Sequence, residues 1–212
     1  LQYSFDLYRI EYLYFFNYYF KIIGFTSLIL TTVMILGFLH VINMSDGRNC
    51  LVLLYFLNIF IFMLIKNDTT YFYEYLLIAL AMFLVLIQNY FNKSFFGNSG
   101  ILFVSIFVAL VLISEFNNKF LSIENIYMLL YIPFFDALRV TFVRIFKGKS
   151  PFLSEKNHLH HFPLNWNKAL IFLILLFAIN NLIQFSTSLN FFIIMFYSII
   201  TFIITYKIFK KI

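Results

Sequence analysis

Seven stretches of the chain are apolar over lengths that suit membrane helices: Ile22–Ile42, Leu51–Ile65, Tyr71–Gln88, Ile101–Ile113, Ile126 to about Val143, Ala169–Ile183 and Phe191–Tyr206. Runs of roughly 15–20 residues match a bilayer-crossing helix, and none shows the strict alternation of a barrel strand. The pattern predicts an all-α, polytopic bundle of about seven transmembrane helices, forming a single membrane domain over residues 1–212. Polar punctuation separates the runs: HVINMSDGRNC, then KNDTT (Lys66–Thr70), NYFNKSFFGNSG (Asn89–Gly100) and EFNNKF (Glu115–Phe120). In the fifth run Pro133 precedes an acid–base pair at i,i+3, Asp136 and Arg139. That combination predicts a helix broken where it lines a polar cavity. Ahead of the runs, Leu1–Phe20 is aromatic and mildly polar, with Asp6, Arg9 and Glu11 among tyrosines that suit a membrane interface. It lacks the regions of a signal peptide, and an opening at Leu1 without Met is expected of a truncated chain.

Composition agrees with the runs. Hydrophobic residues make up 63% and charged residues 11%, against about 25% charge in ordinary soluble domains. Mean hydropathy is +0.91. The single cysteine, Cys50, excludes an internal disulfide framework. A net charge of +6 resembles a nucleic-acid signal only until the cations are placed on the topology. Seven crossings put Arg48, Lys93, Arg139, Arg144, Lys147, Lys149, Lys156, Lys168, Lys207, Lys210 and Lys211 on one side. Arg9, Lys21, Lys66 and Lys119 fall on the other. The richer side is expected to be cytoplasmic, in a cell inner (plasma) membrane, with the lipid bilayer rather than nucleic acid as the partner of the charge.

Three loops on that side carry candidate chemistry. Asp136 to Phe162 is the longest charged interval, and it holds His158, His160 and His161, three of the four histidines. Imidazoles beside Arg and Lys can donate to a phosphate or exchange a proton near neutral pH, so the expected ligand is anionic. Zinc competes, but no Glu stands at metallopeptidase spacing and no Cys is near. A basic loop resting on anionic headgroups explains the lysines better than it explains the clustered histidines. His40, within a span, reads as a packed helix-end residue. Asn43 and Asp46, three apart and next to Gly47, offer hard oxygen ligands for Mg²⁺ or a nucleoside; a helix terminus with an Asx turn is the alternative. Gly97-Asn98-Ser99-Gly100 precedes a span whose N-terminal N–H groups would favour a phosphate, or else it is an ordinary glycine turn.

Those residues carry a resemblance. FDALRVTFVRIFKGKSPFLSEKNHLHH is similar to the last cytoplasmic loop of the polyprenyl-phosphate N-acetylhexosamine-1-phosphate transferases. That family holds the UDP-GlcNAc:undecaprenyl-phosphate enzymes and the phospho-MurNAc-pentapeptide transferase, and the form SPF…NHLHH is nearer the former. NMSDGRNC resembles the family's N-x-x-D-G-x-D-G, and FFGNSG its G-D-x-G, in the same order; the resemblance covers about Ile22 to the C-terminus. It implies that a lipid phosphate displaces UMP from a UDP-sugar, with Mg²⁺ (or Mn²⁺) neutralising the diphosphate. Carried over by position, Asn43 and Asp46 match the metal- and nucleotide-facing pair, and Asn98 the metal position of G-D-x-G. His158, His160 and His161 match the histidine motif. Asp136, Arg139 and Arg144 match its polar approach, with Lys149 and Lys156 in the basic loop that meets substrate.

The implied partners are a UDP-sugar and polyprenyl phosphate in the bilayer, and a homodimer is compatible with such a bundle. Departures are Asn98 and Asn49 where the family has Asp, His40 where an Asn is usual, and no early Asp-Asp pair. A catalytically silent relative that binds polyprenyl phosphate or nucleotide sugar is the alternative. A transporter-like helical protein with a lipid-binding loop is the third reading.

Overall fold

The computed structural model describes residues 8–15, 18–66, 71–150, 157–186 and 190–212. It is an all-α bundle with one small hairpin. Seven helices follow in order: α1 (Phe25–Ser45), α2 (Leu51–Lys66), α3 (Phe72–Tyr90), α4 (Gly97–Asn117), α5 (Ile123–Phe146), α6 (Trp166–Ser186) and α7 (Phe191–Phe209). All but α2 are long and apolar enough to cross a bilayer, which makes six candidate spans. Their outward faces carry Val33, Leu84, Phe103, Ile171, Leu182 and Phe196, all exposed. Hydrocarbon, not water, is the solvent those faces suit.

α2 differs for a physical reason. Sixteen residues rise only about 24 Å, and twelve of the sixteen are buried. Its faces are covered by neighbours, α3 and α6 among them. Tyr55 meets the edge of Phe177, with ring centroids 5.8 Å apart, and Phe60 meets Tyr75 at 5.8 Å.

The chain divides into two compact units, Leu1–Asn43 with Phe96–Ile126, and Met44–Phe95 with Tyr127–Ile212. In the first, Tyr12–Phe15 (β1) and Tyr18–Lys21 (β2) pair antiparallel, Tyr12 opposite Lys21. The aromatic segment thus contains a hairpin where no strand was expected. Ile10, two residues before it, is held by α1: the Ile10 N–H donates to Thr31 Oγ1 at 2.9 Å, and Ser27 Oγ donates to the Ile10 carbonyl at 2.7 Å. Ser27 and Thr31, one turn apart, present both a donor and an acceptor on one helix face. Ile10 then packs with Ile113 and Phe116, flanked by Leu13, Leu30 and Ile35.

Two expectations about helix ends and breaks are corrected. α5 runs unbroken through Pro133, because a bundle core offers no water to backbone groups that leave the helix. One missing N–H bond at proline costs less there than a whole broken turn. Gly97-Asn98-Ser99-Gly100 is not a loop but the opening turn of α4, with Gly97 at φ 64°. Only glycine reaches that conformation without steric cost.

Candidate functional site

Within the second unit the polar side chains expected from sequence converge on one carboxylate. Asp136, on the inner face of α5, is 4% exposed. Its Oδ1 accepts from Arg139, whose Nη2 stands at 2.7 Å and Nε at 3.3 Å. Its Oδ2 faces His158 Nδ1 at 3.1 Å. The Leu159 N–H donates to both oxygens, at 3.0 and 3.1 Å. Four donor groups leave this carboxylate little capacity for another partner.

The histidine stretch is thereby clamped to α5. His158, extended at φ −72° and ψ 155°, precedes a single 3-10 turn, Leu159–His161. Arg144, just over two helical turns beyond Asp136, places Nη2 3.5 Å from His158 Nε2. Guanidinium can only donate, so Nε2 accepts and Nδ1 carries the proton. The His158 ring is held between the Asp136 carboxylate and the Arg144 guanidinium. Both His158 and Arg144 are buried.

His160 stacks parallel to His158, with centroids 5.6 Å apart and planes within 3°. It also reaches a second motif. A Cβ added to Gly47 would lie 2.7 Å from His160 Cδ2, so the imidazole sits directly on the Gly47 backbone. Asp46-Gly47-Arg48 and the histidine stretch, 111 residues apart at Gly47 and His158 (158 − 47), are thus one surface. His160 is 2% exposed, and burial, with the neighbouring His161 and His158, pushes its pKa down to about 3. It is neutral near pH 7, which removes His160 from proton exchange there. His161, half-buried, has its ring 4.1 Å from that of His160.

The remaining expected residues fall in different places. Asp46 follows α1 and is exposed, while neighbouring atoms desolvate its carboxyl enough to raise its pKa. Lys149 is exposed just beyond α5, its N–H bonded to the Arg144 carbonyl at 2.9 Å. Lys156 lies outside the described residues. Asn43, exposed on the last turn of α1, and Asn98, exposed in the first turn of α4, belong to the other unit.

Several residues not singled out from sequence complete this end of the second unit. The Trp166 indole N–H donates to the Asn49 carbonyl at 3.0 Å, and Arg48 Cζ lies 5.7 Å from the centre of that indole ring. Asn49 Nδ2 donates to Asn92 Oδ1 at 2.5 Å, and the Cys50 N–H donates to Asn89 Oδ1 at 2.6 Å. Cys50 itself is left-handed at φ 71°. Phe162 and Tyr206 meet edge to face at 5.4 Å, and both rings carry Arg139 and Lys210 over their faces, at 4.5 to 5.6 Å. The signals for these were weak: one tryptophan in the whole chain, and a cysteine where a turn before a helix would ordinarily use glycine.

Chemically, this is a surface with a buried acid–histidine–arginine clamp beneath it and an exposed carboxylate, guanidinium and half-buried imidazole on top. Among the described residues no three His, Cys, Asp or Glu side chains cluster as a metal cage. The arrangement suits an anion held partly by fixed cations. The chain matches no protein-family model, no curated protein sequence and no solved structure.

Proposed function

We propose that this protein is a membrane glycosyl-1-phosphate transferase, moving a HexNAc-1-phosphate from a UDP-sugar to polyprenyl (undecaprenyl) phosphate in cell-envelope polysaccharide synthesis. An oxygen of the lipid phosphate attacks the sugar-bearing phosphorus, the bond from that phosphorus to the UMP oxygen breaks, and UMP leaves. The observation that carries the reading is the seating of His160 on Gly47. It joins the two segments on which the resemblance rests, one from each of the two stretches of sequence that make up the second unit. The active-site loops are taken to face the cytoplasm, as the cation bias implies.

The chain's own residues divide the work. Asp136, His158 and Arg144 are positioning groups: buried and mutually bonded, they hold the 3-10 turn against α5. Asp46 is the carboxylate left open, since Asp136 is saturated. One carboxylate plus substrate phosphates is an acceptable Mg²⁺ site, because that ion keeps much of its water. Asp46 would therefore hold Mg²⁺ (or Mn²⁺). When bound, the ion would neutralise charge on the diphosphate.

The test is release of labelled UMP and formation of a lipid-linked pyrophosphoryl sugar by the full chain in membranes, across a Mg²⁺ titration. Product dependent on Asp46 is the expected result. The second reading, a silent relative that binds without turnover, is favoured by one observation. Asn49 brings an amide, already donating to Asn92, where the resemblance calls for a carboxylate. Binding of nucleotide sugar with no product at any Mg²⁺ concentration would select that reading.

A further inference from the structure

Three guanidinium groups lie in the second unit, and two of them are spent. Arg139 bonds Asp136 and the Asn157 carbonyl. Arg144 is buried against His158. The third, Arg48, is exposed, and its orientation is set by the protein.

One guanidinium face lies over Trp166 at 5.7 Å, within the range of a cation–π contact. Nη2 points towards the Pro163 carbonyl at 3.5 Å. The platform is itself tied to the residue beside Arg48, because the indole N–H donates to the Asn49 carbonyl. Asn49 and Cys50 are pinned in turn by Asn92 and Asn89. On the other side Gly47 lies under His160. A long side chain held this way loses little further freedom on meeting a ligand, and its planar fork matches phosphate oxygens. Lys147 and Lys149 just beyond α5, and Lys168 in the first turn of α6, are exposed point charges and supply no fork geometry.

We propose that Arg48 is the phosphate-binding residue of this surface, receiving a diphosphate of the nucleotide-sugar class and contributing a positive charge that does not depend on a bound metal. This deepens the proposed transferase function and rests on it for the identity of the ligand, not for the anion chemistry. In a site with a single open carboxylate, a fixed guanidinium offsets diphosphate charge that a divalent ion would otherwise have to neutralise alone.

The built-in reporter is Trp166, the one tryptophan of the chain. Inorganic pyrophosphate and UDP-GlcNAc are titrated into the full chain in lipid nanodiscs with EDTA. Binding is read by Trp166 fluorescence and independently by equilibrium dialysis of labelled ligand. Arg48→Gln should weaken binding of both probes on the order of tenfold or more, and Arg48→Lys by less, because a bidentate charge-assisted contact is lost in the first and half-kept in the second. Parent-like affinity in Arg48→Gln, or binding by the parent only when Mg²⁺ is restored, overturns the proposal. The two readings fail separately. Arg48-dependent pyrophosphate binding without UMP release sinks the transferase reading alone, and UMP release indifferent to Arg48 sinks this one alone.

Discussion

The imidazole of His160 occupies the space that any side chain at position 47 would need, with a Cβ there falling 2.7 Å from Cδ2. Gly47→Ala should therefore lower stability by about 1–3 kcal/mol, the usual cost of overpacking a close contact. Thermal unfolding in nanodiscs measures it. The double variant Gly47→Ala/His160→Ala should recover much of the loss, because the clash and the ring go together. Full additivity of the two single changes would show that the residues do not meet.

The burial of His160 has a pH signature. Its pKa is about 3 in the fold, against 6.5 ordinarily, so the unfolded chain takes up a proton first as pH falls. The corresponding stability is fully present above about pH 6.5 and is lost progressively as pH falls towards 3, with a slope approaching about 1.4 kcal/mol per pH unit. His160→Gln should flatten the unfolding profile between pH 6 and 4. An unchanged slope in that variant would contradict a neutral, buried His160.

Asp136→Asn should be the most damaging single change in the clamp. It leaves Arg139 without its anion and removes an acceptor from His158 and Leu159, and breaking such a partly buried pair costs on the order of 3 kcal/mol. Nitrogen-15 NMR of the imidazoles adds a readout that general loss of stability would not give. The Nδ1–H form of His158 should predominate in the parent and give way to a tautomer mixture in the variant.

Cys50 holds a left-handed conformation, φ 71°, that costs an L-residue about 1–2 kcal/mol. Branching at Cβ makes that region less accessible still. The expected stability order is Gly at least equal to Cys, with Cys50→Val lower by on the order of 2 kcal/mol, measured by thermal unfolding. A Val variant as stable as the parent would refute the strain at this turn.

With seven crossings, the bias of eleven cations on one set of loops against four on the other predicts that the histidine loop faces the cytoplasm. In a Cys50→Ser background, an impermeant thiol reagent on intact cells should label Asn118→Cys and spare Ser150→Cys. The reverse pattern would invert the topology and remove the argument for a cytoplasmic site.

Much of the architecture was legible because it depends on local composition. A bilayer-length apolar run commits its backbone to helix whatever follows it, since no other backbone partner is available in hydrocarbon. The seven runs accordingly became seven helices, with ends moved by a few residues where Gly97 and Asn117 extended α4. What composition could not show is which neighbour covers a helix. α2 reads like the others in hydropathy, yet it is short and buried because α3 and α6 pack against it. Nor did a tyrosine-rich segment announce a hairpin, whose hold on α1 depends on hydroxyls 17 and 21 residues away.

The histidine stretch and Asp46-Gly47-Arg48 stood out from sequence by residue type alone. Their division of labour did not. His158 and Arg139 spend donors on Asp136, Arg144 is spent on His158, His160 packs against Gly47, and Arg48 alone keeps an exposed guanidinium over Trp166. A hydrogen bond is decided by distance and direction between atoms that may be 117 residues apart, as Trp166 and Asn49 are. Sequence determined the bilayer setting and the stock of polar groups; only the tertiary structure decided which were consumed in holding the loop and which were left facing a ligand.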